Sequence, residues 1–162
     1  MKLQAVAFLG AMRGKALRIA TAESCTGGLI AALLTEIPGS SDVVDRGFVT
    51  YSNEAKMQMI GVNQGLLNEF GAVSREVALA MAEGALAHSP ADVSIAVTGV
   101  AGPGGGTASK PVGLVHIAAA RRGAATLHQE CRFGSLARSE IREKTVIQSL
   151  QLATRAIGLQ PQ

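Results

Sequence analysis

Three short apolar runs in this chain stop abruptly in polar or glycine-rich segments. "LRIA" runs into "TAESCTGG", "VVDRGFV" into "TYSNEAK", and "VSIAV" into "TGVAGPGGG". The stretches between them carry apolar residues at helical spacing, so strands and helices alternate through the first hundred residues. The spacing predicts strands over 17–21, 43–51 and 93–99. It predicts helices over 3–15, 26–36 (ended by Pro38-Gly39), 53–60, 63–70, 75–88 and 137–157. "VGLVHIAAAR" and "AATLHQECRF" flank Arg122-Gly123 and predict a β-hairpin. The expected fold is a three-layer α/β/α sandwich whose mixed sheet is mostly parallel, with one antiparallel strand.

At 162 residues the chain predicts one domain over 1–162, long enough to bury about two-thirds of its unfolded surface. The ten-residue loop "GPGGGTASKP" is too short to divide it. Aromatic residues make up only 3%, so the core must be built from Ala, Val, Leu and Ile. No apolar run reaches the ~18–20 residues of a membrane span. Leu3, Val6, Ala7, Leu9 and Met12, followed by Arg13 and Lys15, fit an amphipathic helix better than a signal peptide. Cys25 and Cys131 form no CxxC and read as reduced thiols of a cytosolic protein. His88, His116 and His128 are scattered without metal-ligand spacing. The net charge of +3 is dispersed, and only Tyr51 and four phenylalanines can stack on bases. Nucleic acid is therefore an unsupported partner, whereas a small anionic ligand is compatible.

In an open α/β sheet, ligands bind beyond the carboxyl ends of the parallel strands, so the three polar segments should meet at one rim. In the first, Thr26 is placed to cap a helix, while Gly27 and Gly28 permit close backbone approach near N–H groups that favour anions. Ser24 and Thr26 can equally do no more than satisfy the helix end. Cys25 has no nearby His and reads as a buried structural thiol. In the second segment Ser52 caps a helix, and Lys56 lies about one turn inside it. The helix dipole and burial would lower its pKa and suit it as a general base, against the alternative of a solvated surface amine. Tyr51 either donates a hydrogen bond or packs at the strand end. In the third segment Thr98 and Gly99 close a strand where amides can face a ligand, or begin a mobile surface loop. Lys110 precedes Pro and lacks the preceding Gly of a Walker A loop. Arg138 and Arg142 share a face early in the last helix, where a bound phosphate, or pairing with Glu140 or Glu143, would offset their conflict with the dipole. The residues alone thus point to a small-anion pocket with Ser24 and Lys56 as candidate catalysts of acyl or amide chemistry.

Taken in order, "TAESCTGG", "PGSSDVVDRGFVTYSNEAKMQMIGV", "GAVS", "TGVAGPGGG" and "KPVGLV" resemble the CinA C-terminal domain family. The likeness runs from Thr21 to Arg142 and is greatest to its stand-alone nicotinamide-nucleotide amidohydrolases. The resemblance implies hydrolysis of nicotinamide mononucleotide to nicotinate mononucleotide and ammonia, within pyridine nucleotide recycling. It implies Ser24 and Lys56 as catalytic residues, supported by Tyr51 and Ser41. Gly39, Ser40, Thr98 and one of Arg138 and Arg142 match ligand positions, and Thr26, Gly27, Gly99 and Gly102 complete the expected substrate-binding set. No cofactor or metal is implied; the expected partners are the nucleotide substrate and further copies of the chain, with no nucleic acid and no membrane. Two departures stand out. Many members carry an additional N-terminal domain resembling molybdopterin-binding proteins, for which this chain has no room. Where the family often shows Gly-Asp-Arg, this chain has "FGSLAR", which leaves Arg138 and Arg142 as alternatives. The competing function is a non-catalytic module that senses a phosphorylated nucleotide.

Overall fold

Two of the apolar runs form interior strands, and "VVDRGFV" an edge strand, of a five-stranded sheet in a computed structural model that describes residues 1–161. In chain order the elements are α1 (Lys2–Gly14), β1 (Ile19–Glu23), α2 (Leu29–Thr35), β2 (Val44–Val49), α3 (Asn53–Ile60) and α4 (Gln64–Phe70). There follow α5 (Arg75–Ala87), β3 (Val93–Gly99), β4 (Leu114–Arg121), β5 (Leu127–Arg132) and α6 (Arg138–Ala156). The strand order is β2-β1-β3-β4-β5. β1 pairs in parallel with both β2 and β3, and the β3–β4 and β4–β5 pairs are antiparallel. Four strands therefore share a direction and β4 alone opposes them.

β1 is buried along its whole length and β3 up to its last residue, because helices cover both faces of the sheet. That explains why their sequences are continuous apolar runs rather than alternating ones. On one face α1, α2 and α6 bury Leu9, Met12, Ile30, Leu34 and Leu150 against Ile95 and Ile117. On the other, α3, α4 and α5 meet a sheet surface made of Ala20, Ala22, Ala96, Ala118 and Ala120. These small residues let α5 lie close to the strands. Gly84 extends the same economy of space to α3: a Cβ there would stand 2.1 Å from the Ile60 carbonyl oxygen.

Two boundaries differ from expectation in a way that matters. β1 ends at Glu23 rather than residue 21, and α2 begins at Leu29 rather than residue 26. Between them the chain makes a turn in which Gly27 and Gly28 have φ of 61° and 99°. A left-handed pair of this kind breaks the helical spacing of "CTGGLIAALL" at its first turn.

Two histidines that are distant in sequence meet on the α5 face. His116 Nδ1 lies 3.0 Å from His128 Nε2, with the rings stacked at 5.3 Å between centroids. Burial lowers the pKa of both; His128 and Lys110 lower that of His116 further and Arg75 that of His128, while Glu130 and Glu76 oppose the shift in each. A base whose folded pKa is depressed destabilises the fold as pH falls through its unfolded value of 6.5, because the unfolded chain then binds the proton more readily.

Gly84→Ala should cost about 1–3 kcal/mol through overpacking against α3, measured by denaturant unfolding. Stability should decline as pH drops below 6.5, and replacing both His116 and His128 by Gln should flatten that decline in unfolding midpoints between about pH 7 and 5.

Candidate active site

The site begins with a carboxylate at the end of β1. Glu23 is fully buried and its two oxygens accept the Gly28, Ile30 and Ala31 N–H groups at 2.9–3.1 Å. Thr26 Oγ1 donates to Glu23 Oε2 at 2.6 Å, and Thr21 Oγ1 donates to Oε1 at 3.3 Å. Glu23, and not Thr26, therefore caps α2. The carboxylate occupies the helix start expected to hold an anion, and Thr26 is fully buried with its hydroxyl turned to Glu23. An acidic residue just ahead of a helix is a recognisable dipole partner in sequence. It was obscured here because Thr26 sits in the conventional capping position.

With both ends of the turn held, Ser24 projects into a cavity of about 240 Å³ lined by Cys25, Tyr51, Lys56, Ala72, Val73, Thr98, Gly99, Ala101 and Arg138. Ser52 starts α3 by accepting the Ala55 N–H, and this places Lys56 one turn in, pointing under the strand ends. Lys56 is 1% exposed, the opposite of a solvated surface lysine. Its Nζ donates to Ser24 Oγ at 3.0 Å, to the Thr50 carbonyl at 2.9 Å and to the Tyr51 carbonyl at 3.4 Å. No carboxylate pairs with it among the described residues. Burial accordingly lowers its pKa from 10.5, which increases the share of free amine at any pH. With two hydrogens directed at the backbone carbonyls, the lone pair of that amine is left facing the Ser24 hydroxyl.

The three strand ends do meet at one rim. Thr98 lines the cavity from β3, with its hydroxyl donating to the Ala72 carbonyl at 2.8 Å. The two arginines separate. Arg138 lines the cavity, donating to the Gly102 carbonyl at 2.8 Å and to the Tyr51 hydroxyl at 3.0 Å. Arg142 instead donates to the Thr26 carbonyl at 2.7 Å, bracing the turn from behind, and passes beside Gly27. Neither pairs with Glu140 or Glu143; Glu140 accepts the Ala137 N–H. Tyr51 keeps 59% of its surface exposed at the mouth. Cys25 is buried, and burial pushes its thiol up to about 12, which removes it as a nucleophile near neutral pH.

Gly39, Ser40 and Ser41 are not brought to this cavity. They precede β2, and Ile19 N–H bonds the Val43 carbonyl at the start of β1. The five residues of β1, roughly 16 Å of strand, separate them from Ser24 within one chain. Ala72, Val73 and Ala101, which lie inside "GAVS" and "TGVAGPGGG" but carry no reactive group, supply apolar wall instead. A second groove of about 300 Å³ lies between α1, α6 and residues 159–161, but it is mostly apolar and is lined by no His, Cys or charged side chain. Among the described residues no group of three or more His, Cys, Asp or Glu is placed to hold a metal, and no helix is long and apolar enough to cross a membrane.

Residues 3–157 match the family described as the CinA C-terminal domain. The chain belongs to the CinA C-terminal domain family. This CinA-family chain is 58% identical over 110 residues to a CinA-like protein of Akkermansia muciniphila, covering 68% of the chain and 27% of that relative. It is 50% identical over 139 residues to a CinA-like protein of Mycolicibacterium vanbaalenii, covering 86% and 33%. The chain thus spans about a quarter to a third of the length of the curated relatives it matches. Among solved structures, the competence/damage inducible protein CihA of Agrobacterium tumefaciens is 54% identical with a TM-score of 0.94, covering 96% of this chain and 94% of that one. A CinA superfamily protein of Escherichia coli is 35% identical with a TM-score of 0.87, covering 92% and 86%.

The depressed Lys56 pKa has a thermodynamic corollary. The unfolded chain holds the proton more tightly below pH 10.5, so a buried Lys56 subtracts stability at neutral pH. Lys56→Met should keep or raise the denaturation midpoint at pH 7, and the gain should shrink as pH approaches 10.5. A lower midpoint at pH 7 would contradict this reading of the buried amine.

Proposed function

We propose that this chain is an amidohydrolase that converts nicotinamide mononucleotide to nicotinate mononucleotide and ammonia. The 3.0 Å approach of buried Lys56 Nζ to Ser24 Oγ carries the reading. The choice of substrate rests on the likeness of the motifs quoted above to the nicotinamide-nucleotide amidohydrolases of the family. The cavity of about 240 Å³ is smaller than the ~300–1,000 Å³ of pockets that enclose whole drug-sized ligands. It suits the pyridine carboxamide, with the ribose phosphate reaching to the mouth where Arg138 and Tyr51 stand. Arg138 is the phosphate-side arginine in this reading, because Arg142 is committed to the Thr26 carbonyl.

The steps use one base twice. The free Lys56 amine takes the Ser24 proton as Oγ bonds to the carboxamide carbon, giving a tetrahedral oxyanion and a lysine ammonium. Lys56 returns that proton to the leaving nitrogen, the C–N bond breaks, and ammonia departs from an acyl-serine ester. A water then gives its proton to Lys56 and attacks the ester carbon. Collapse of the resulting intermediate returns the same proton to Ser24 Oγ and frees the carboxylic acid, whose own proton passes to ammonia or solvent to give the carboxylate product. The turn held by Glu23 and Arg142 keeps Ser24 in place through both halves.

Ammonia release from nicotinamide mononucleotide tests this directly. Ser24→Ala and Lys56→Ala should each lose about 1,000-fold or more in kcat/KM while remaining folded. The wild-type rate should rise with pH through a pKa below 10.5, that of the ordinary lysine amine. A wild type that binds the nucleotide at high enzyme concentration without releasing ammonia would instead assign a nucleotide-binding module.

A further inference from the structure

Lys110 lies outside the chemistry above, yet it reaches the cavity wall. We infer that Lys110 is a positioning residue that holds the Ala72–Val73 wall against the substrate ring, through its bond to the Phe70 carbonyl. The inference rests on the Ser24–Lys56 cavity being the site of amide chemistry.

The lysine is presented by a small self-bonded turn. Thr107 N–H donates to the Lys110 carbonyl at 2.9 Å, and Lys110 N–H donates to Thr107 Oγ1 at 3.0 Å. From there Nζ donates to the Phe70 carbonyl at 2.5 Å, at the C-terminus of α4, where a cation is favourably placed. Gly71 follows in the left-handed region with φ of 73°, and a Cβ there would stand 2.8 Å from Lys110 Nζ. The ammonium thus lies directly on the backbone where the chain leaves α4 for the wall.

Three successive carbonyls of this segment are tied to side chains. Phe70 is held by Lys110, Gly71 by the Ser74 hydroxyl at 2.8 Å, and Ala72 by the Thr98 hydroxyl at 2.8 Å. Ser74 belongs to the segment itself, so among the described residues only Lys110 and Thr98 hold these carbonyls from outside, while Ala72 also packs against the core on the α5 face. Thr98 fixes the inner end, where the wall meets the sheet. Lys110 fixes the outer end, and it joins the glycine-rich loop after β3 to the α4–α5 segment that lines the cavity. Without it the wall keeps its inner packing and one external side-chain hydrogen bond, while Ser24 and Lys56, which share no partner with Lys110, keep their 3.0 Å contact.

The test compares wild type with Lys110→Met and Lys110→Arg. Lys110→Met should raise KM for nicotinamide mononucleotide about tenfold while kcat changes less than about threefold, and Lys110→Arg should retain most of the wild-type KM. In parallel, Ser24 is sulfonylated with methanesulfonyl fluoride, which is too small to need the wall, and with phenylmethanesulfonyl fluoride, which carries a ring. The ratio of ring-bearing to small-reagent rates should fall about tenfold in Lys110→Met and hold in Lys110→Arg. A KM and a rate ratio both unchanged in Lys110→Met would overturn the inference. So would a parallel loss of kcat and of both labelling rates, which is the mark of general unfolding of the site. If wild type releases no ammonia, the amidase reading fails on its own, and the labelling ratio still decides the role of Lys110. An unchanged ratio, or no labelling of Ser24 at all, then overturns it.

Discussion

The buried carboxylate of Glu23 is the interaction on which the site depends. A charge with no solvent exposure is tolerable only if its lone pairs are occupied, and here three helix-start amides and two hydroxyls occupy them. The arrangement closes the N-terminus of α2 and fixes the direction in which the chain leaves β1. It also keeps negative charge away from Lys56. An ion pair between Glu23 and Lys56 would favour the ammonium and leave Ser24 beside a spent base. Because Glu23 is satisfied by the helix, Lys56 meets only neutral oxygen acceptors.

The site is thus a division of labour between two buried ionisable groups with adjacent roles. One is surrounded by donors and organises backbone. The other is desolvated with few partners, and its amine is left basic and directed. Arg142 contributes to the first task from behind the turn, and Arg138 stands at the opposite, open side of the cavity. Four residues apart on α6, they bond different loops, Arg142 the turn after β1 and Arg138 the glycine-rich loop after β3.

Much of this was legible in the sequence. Continuous β-branched runs with helical stretches between them indicate a covered sheet, and the elements appear in the expected order. The junction after β1 was harder, because two left-handed glycines add a turn that a 3.6-residue period cannot anticipate. Ser24 and Lys56 were visible as unusual polar residues at strand ends, but their 3.0 Å contact crosses 32 positions and depends on strand order together with the turn after β1 and the Ser52 cap. The same limit hid the separation of Arg138 from Arg142, which share a helix face but not a partner. Gly39, Ser40 and Ser41 show the converse: the motif that contains them is continuous with Tyr51 and Lys56 in sequence, and a strand carries its two halves to opposite ends of the sheet. The stacked His116 and His128 are invisible to spacing rules for the same reason, since a hairpin and not a helix brings them together.

Tyr51 has one more property, which follows from the rarity of its kind in this chain. It is the sole tyrosine, and the chain has no tryptophan. Its hydroxyl is held by Arg138 at the cavity mouth while more than half of its surface remains in solvent. The native tyrosine emission of the protein therefore originates at one place, and that place is the entrance to the cavity. Any molecule that competes for the Arg138 guanidinium also changes the surroundings of the only such fluorophore, so the unmodified chain carries its own optical gauge of occupancy.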